Sequence, residues 1–142
     1  MAENVTVWLD NLDGTPLIRL TWMGLVESGD VRDAFMDLSS HLDSTRRPVY
    51  IVVDLQYNPR VPIPETLTYA LAGPVQHDMV RDWIMVGNSP ATRQIARMLV
   101  RVTGQTNILW FGSESQALDH IQKCNVGVSV PAEEPILGEV SH

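Results

Sequence analysis

A chain of 142 residues with 44% hydrophobic and 19% charged residues has the make-up of one globular domain, long enough to bury roughly two-thirds of its unfolded surface. Seventeen Asp plus Glu against ten Lys plus Arg leave a formal net charge of -7, which repels polyphosphate and argues against nucleic acid as a partner. The single cysteine, Cys124, excludes an internal disulfide and a multi-cysteine zinc centre; with no signal-like start at Met1-Ala2-Glu3-Asn4 and no apolar run near the roughly 20 residues of a membrane span, a water-soluble cytoplasmic protein is expected.

Val5, Val7 and Leu9 alternate with Thr6, Trp8 and Asp10, the period-2 pattern of a strand with one buried face. The turn Asn11-Leu12-Asp13-Gly14-Thr15-Pro16 follows, with Asp13-Gly14 favouring positive φ, before Ile18, Leu20 and Trp22 alternate with Arg19, Thr21 and Met23. These two runs read as an N-terminal β-hairpin. Ser28 or Asp30 caps the next element, a helix with Val31, Phe35, Leu38 and Leu42 on one stripe that ends near Ser44. Val49-Tyr50-Ile51-Val52-Val53 is β-branched and aromatic throughout, which suits a strand covered on both faces at the centre of a parallel sheet.

Three prolines in Asn58-Pro59-Arg60-Val61-Pro62-Ile63-Pro64 remove donors and hold this segment as a loop. Pro64 is read as the first residue of a short helix with Leu67, Ala70 and Leu71 on one side, stopped by Gly73-Pro74. Trp83-Ile84-Met85-Val86 is a further apolar strand, and Gly87-Asn88-Ser89-Pro90 leads into a helix capped by Ser89. That helix is expected to bury Ile95, Met98, Leu99 and Val102 and to end at Gly104. Ile108-Leu109-Trp110-Phe111 reads as a last central strand, and Ser113-Glu114-Ser115-Gln116 has the spacing of a capping box ahead of Ala117, Leu118 and Ile121.

Alternating strands and helices imply helices packed on a parallel sheet through right-handed crossovers. The expected fold is α/β, with the N-terminal hairpin leading into a mixed, largely parallel sheet of about five strands and about four packed helices. Residues 1–124 are assigned to one domain. Residues 125–142 form an acidic, Pro-containing tail of extended or disordered composition, with a docked edge strand from Val126, Val128 and Val130 as the alternative.

The arrangement resembles the STAS domain of bacterial anti-sigma-factor antagonists, and in particular its SpoIIAA-like branch. Three stretches carry the likeness: Val49-Tyr50-Ile51-Val52-Val53-Asp54-Leu55, Gly87-Asn88-Ser89-Pro90-Ala91-Thr92 with the helix that ends at Gly104, and Phe111-Gly112-Ser113-Glu114-Ser115-Gln116-Ala117-Leu118. The resemblance spans most of residues 5 to 123 and implies a non-enzymatic regulatory or protein-interaction module. Switching members of the family carry a phosphorylated serine in an Asp-Ser-Ser-Gly motif after the central strand. Here that region reads Ile63, Pro64, Glu65, leaving Thr66 as the nearby hydroxyl and candidate phosphorylation site. The same branch is similar to lipid-carrier folds, which makes a small-ligand or lipid-binding domain the alternative reading, favoured if a closed apolar pocket lies beneath the second helix. An enzyme assembled from residues distant in sequence is the third.

Arg93, Arg97 and Arg101 recur every four residues and line one helix face, a positive stripe suited to a carboxylate-rich or phosphorylated partner, or simply a solvated face. Asp54, Asn88 and Ser89 fall at the carboxyl ends of strands, where open α/β sheets place ligands, and are the candidate pocket residues; the alternative is that they stabilise turns. The nucleophile-elbow likeness of Gly87-Asn88-Ser89-Pro90-Ala91 fails on chemistry, because Pro90 has no N–H for an oxyanion. His41, His77, His120 and His142 are scattered, so no metal is expected, and the lack of nucleotide-binding glycine motifs leaves no cofactor to expect. His77-Asp78 is read as a loop. A protein partner is the expected ligand, and a homodimer is one assembly such a module would form.

Overall fold

Asp13 and Gly14 take φ values of 51° and 89°, the left-handed conformation that a two-residue hairpin turn demands. They join β1 (Val5–Leu12) to β2 (Thr15–Trp22) in a computed structural model that describes residues 4–125. The turn is tighter than expected: Asn11 and Pro16 are already paired within the strands. Calls on the tail, including the strand through Val126, Val128 and Val130, lie outside the described residues.

Three parallel strands continue the sheet: β3 (Val49–Asp54), β4 (Val80–Val86) and β5 (Ile108–Phe111). The spatial order is β1-β2-β3-β4-β5, with β1 antiparallel to β2 and all other neighbours parallel. Among the described residues, four helices complete the fold: α1 (Ser28–Ser44), α2 (Ile63–Ala72), α3 (Pro90–Thr103) and α4 (Glu114–Asn125), with one 3₁₀ turn at Pro74–Gln76. The order explains the layering. Each crossover from β2 to β5 steps in the same direction, and right-handed crossovers that step one way all fall on one face. Helices α1, α2 and α3 therefore share a core with Ile18, Leu20, Trp22, Ile51, Val53, Trp83, Met85, Ile108 and Trp110. Helix α4 follows the last strand and covers the other face, where Ala117 and Ile121 meet Leu17, Tyr50, Val52, Ile84, Val86, Leu109 and Phe111.

Several sequence expectations are corrected. The strand at 108–111 is an edge strand, not a central one; its four residues are apolar because α3 and α4 bury both faces, which the pattern cannot separate from a central position. In β2, Arg19 and Thr21 are buried although their alternation with apolar residues suggested exposure. In β1, Leu9 is 63% exposed because this edge strand extends past the helices. Helix α1 starts after Glu27, whose backbone N–H donates to the Asp30 carboxylate at 2.9 Å, so neither Ser28 nor Asp30 is its cap. Helix α2 begins at Ile63, with Pro64 second, and its buried residues are Thr66 and Ala70. Helix α3 is rotated from the expected stripe: Thr92, Ile95, Ala96, Leu99 and Val100 are buried, whereas Val102 is exposed. Both stripes obey helical spacing, and the small Ala96 permits close approach to the sheet.

Candidate functional site

At the carboxyl ends of β4 and β5 the chain makes a concave surface. Gly87 leaves β4 with its N–H donating to the Phe111 carbonyl at 3.1 Å, and a Cβ here would meet Trp110 Cη2 at 3.1 Å and Thr92 Oγ1 at 3.3 Å. A side chain here would have to displace the Trp110 ring and the Thr92 hydroxyl by a few tenths of an ångström, so glycine suits this close approach. Ser89 then caps α3: its Oγ accepts from the Ala91 N–H at 3.2 Å, and Pro90 occupies the first helical position, where no donor is needed. The serine is thus committed to the helix start.

Gly87, Asn88, Ser89 and Pro90 line a cleft of about 450 Å³ together with Arg93, Gln94, Arg97, Trp110 and Gly112. Asn88 with Ser89 and Arg93 with Arg97, read from the sequence as two candidate sets, therefore share one concavity. Arg101 extends the same helix face one turn further and is exposed. Arg93 and Arg97 bring two guanidinium groups to this cleft within a chain of net charge -7.

Asp54 does not join this cleft. It alternates with Tyr50 and Val52 on the α4 side of the sheet, 5% exposed, and its Oδ1 accepts from the backbone N–H of Gln56 at 3.0 Å and from Gln56 Nε2 at 2.9 Å. The turn-stabilising role accounts for it. Thr66 is 4% exposed and its side chain faces the core beneath α2, so the folded protein does not present this hydroxyl to a modifying enzyme. The void beneath α2, lined by Trp22, Phe35, Val53, Leu55, Val61, Thr66, Ala70, Trp83, Met85, Ile95 and Leu99, has a volume of only about 10 Å³.

Sequence reasoning missed a set of polar groups under α4. Arg19 is 8% exposed; its Nη1 donates to Glu114 at 2.8 Å and its Nη2 to Asp10 at 3.3 Å, while the guanidinium lies 5.9 Å from the Trp8 ring centre. Farther along this face His120, 6% exposed, has Nε2 3.5 Å from Asp82 Oδ2 and 3.7 Å from Cys124 Sγ. The spacing of His120 and Cys124 by four residues on an amphipathic helix was the available signal. Burial pushes the Tyr50 phenol up to about 12, against the opposing pull of the Arg81 guanidinium 5.0 Å from its ring centre. His77 is oriented by Asp43, at 2.8 Å, rather than by the adjacent Asp78. A second cleft, of about 470 Å³, opens beside Thr15, Pro48, Tyr50, Asp78 and Arg81. Among the described residues no group of three or more His, Cys, Asp or Glu side chains could hold a metal ion, and no helix is long and apolar enough to cross a membrane.

No protein-family model matches the chain, and no curated protein sequence matches it. Among solved structures it is similar to an uncharacterised protein of the DUF3478 family, with a SpoIIAA-like fold, from Shewanella loihica PV-4. The TM-score is 0.64 at 13% identity, over 84% of this chain and 95% of that one. Identity at this level speaks to architecture alone: the chain has a SpoIIAA-like fold.

Proposed function

We propose that the chain is a non-enzymatic, STAS-like interaction module that docks an acidic protein partner at the cleft formed by the β4–α3 turn and the first turns of α3. The supporting observation is the convergence of Asn88, Ser89, Arg93 and Arg97 on one concave surface, with exposed Arg101 continuing the helix face. Guanidinium groups bind carboxylates through two parallel hydrogen bonds. A chain of net charge -7 repels an acidic partner over most of its surface, so such a partner would dock where arginines are grouped. The alternative reading, a lipid or small-ligand carrier, needs room beneath α2. The void there, about 10 Å³, is far below the roughly 300 Å³ at which ligand pockets begin.

Charge reversal tests this reading. The triple variant Arg93→Glu, Arg97→Glu, Arg101→Glu is expected to lose its partner in pull-downs from the native cell, with at least a tenfold fall in recovery. Unchanged recovery at equal folded protein would show that this surface is not the interface.

A further inference from the structure

Carboxylates able to meet the α3 cleft are present in the chain itself. Residues 126–142 carry Glu133, Glu134 and Glu139 and no Lys or Arg, so this acidic segment and the arginine face of α3 are complementary in charge within one molecule. The Val130-Pro131 and Glu134-Pro135 steps favour extended backbone, which lowers the ordering cost of laying such a segment along a surface. Apolar residues match as well. Met98 is half-buried and Val102 is exposed; Met98, three residues before Arg101 and four before Val102, adjoins both on the helix surface. In the acidic segment Ile136 and Leu137 follow the two glutamates. Glu133 to Ile136, or Glu134 to Leu137, covers about 9–10 Å when extended, and Arg93 to Met98, or Arg97 to Val102, covers about 7.5 Å of helix.

Reach follows from the topology. Gly112 lines the cleft, and α4 starts two residues later at Glu114. The 12 residues of α4 carry the chain about 18 Å from that point to Asn125. Glu133 is eight residues further on, and eight extended residues span up to about 26–29 Å. The edge strand β5 lies between α3 on one face and α4 on the other, so among the described residues no further strand separates the end of α4 from the α3 side. A short tether holds a segment at an effective concentration on the order of millimolar. Exposed ion pairs that are weak one by one then suffice to fill the cleft, and a partner with better contacts can displace them.

We propose that residues 133–137 occupy the α3 cleft of their own molecule as an internal competitor, with Glu133 and Glu134 meeting Arg93 and Arg97, and Ile136 and Leu137 meeting Met98 and Val102. This rests on the reading of the cleft as the surface for an acidic partner and adds its regulation: the partner must displace a mimic built into the chain, which lowers its apparent affinity by the fraction of cleft left open.

Paramagnetic relaxation NMR of the full chain tests it, with a nitroxide on Ala132→Cys in a Cys124→Ser background. The amide signals of Asn88, Arg93, Arg97 and Arg101 are expected to lose at least half their intensity relative to the reduced label. Glu133→Gln with Glu134→Gln should cut that enhancement at least threefold, and high salt should do the same. Full intensity at all four amides would overturn the proposal, as would broadening that the Gln variant leaves unchanged. So would broadening of 15N-labelled chains without nitroxide when they are mixed with unlabelled, nitroxide-bearing chains, because the contact would then be one between copies. In pull-downs the double Gln variant is expected to recover at least threefold more partner. An intramolecular contact with unchanged recovery would overturn the competition and tell against the cleft as the partner's surface. Partner loss in the Arg variants without the intramolecular contact would overturn the internal competitor alone and leave the proposed function standing.

Discussion

The two faces of the sheet are built from strands of similar apolar content, yet they bury different chemistry. Under α1, α2 and α3 lie aromatic rings in edge contact, with Trp22, Phe35 and Trp83 at their centre. Under α4 lie Arg19, Tyr50, Asp54 and His120 beside a smaller apolar cluster. Three helices cover one face of β2 to β5, and the apolar strand residues that point there are buried. A single helix leaves the margins of the other face within reach of exposed carboxylates, so a buried guanidinium can be paired with Glu114 and Asp10 at its rim. The number of covering helices, more than the strand sequences, sets the polarity each face tolerates.

Substitutions on the two faces sharpen this contrast. Trp83→Ala, on the three-helix face, removes the largest fully buried side chain and is expected to cost about 3–5 kcal/mol in urea denaturation; a loss below about 1 kcal/mol would mean that this face is not the tightly packed one.

On the α4 face, alkali should act through Tyr50. Its phenol is raised in the fold to about 12 from 10.0, so the stabilisation is complete below pH 10 and is lost as pH rises through 12, on the order of 2–3 kcal/mol. Tyr50→Phe should abolish that loss between pH 10 and 12 while leaving stability at pH 7 nearly unchanged. A wild-type profile as flat as that of the Phe variant would place the phenol in contact with solvent.

Arg19→Ala is expected to cost about 2 kcal/mol, because its carboxylate partners are partly exposed and rehydrate when the guanidinium is removed. Arg19→Met, which keeps the apolar stem, should cost less. Equal losses in the two variants would assign the role of Arg19 to its charge alone. The smallest effect belongs to the rim of the cleft: Ser89→Ala should lower stability by about 1 kcal/mol through the lost cap, whereas Asn88→Ala, at an exposed position, should change thermal stability by less than about 0.5 kcal/mol.

Much of the secondary structure was legible because strong local signals coincided. Asp13-Gly14, the Pro90 helix start and Gly104, at φ 70°, each specify a backbone conformation within a few residues, and the fully buried strand at 49–54 reads as apolar on both faces. The rotation of α3 was not legible, since Ile95 and Leu99 fit either stripe and only the sheet decides whether Ala96 or Met98 faces inward. The candidate site was half legible. Asn88, Ser89 and Arg93 are close in sequence as well as in space, so strand-end and helix-face rules found them. Asp54 is at a strand end too, but the alternation of β3 turns it to the opposite face, and no local rule revealed which face carried the cleft.

The sequence by itself determined the element order, the hairpin, the helix caps at Ser89 and Gly104, and the two-sided burial of β3, because each depends on interactions between residues near one another in the chain. Only the tertiary structure decided that β5 is an edge and that Arg19 is buried between Asp10 and Glu114. Those outcomes depend on which face each crossover takes and on contacts between residues as far apart as Arg19 and Glu114. An apolar period marks a residue as buried but carries no information about what is buried against it.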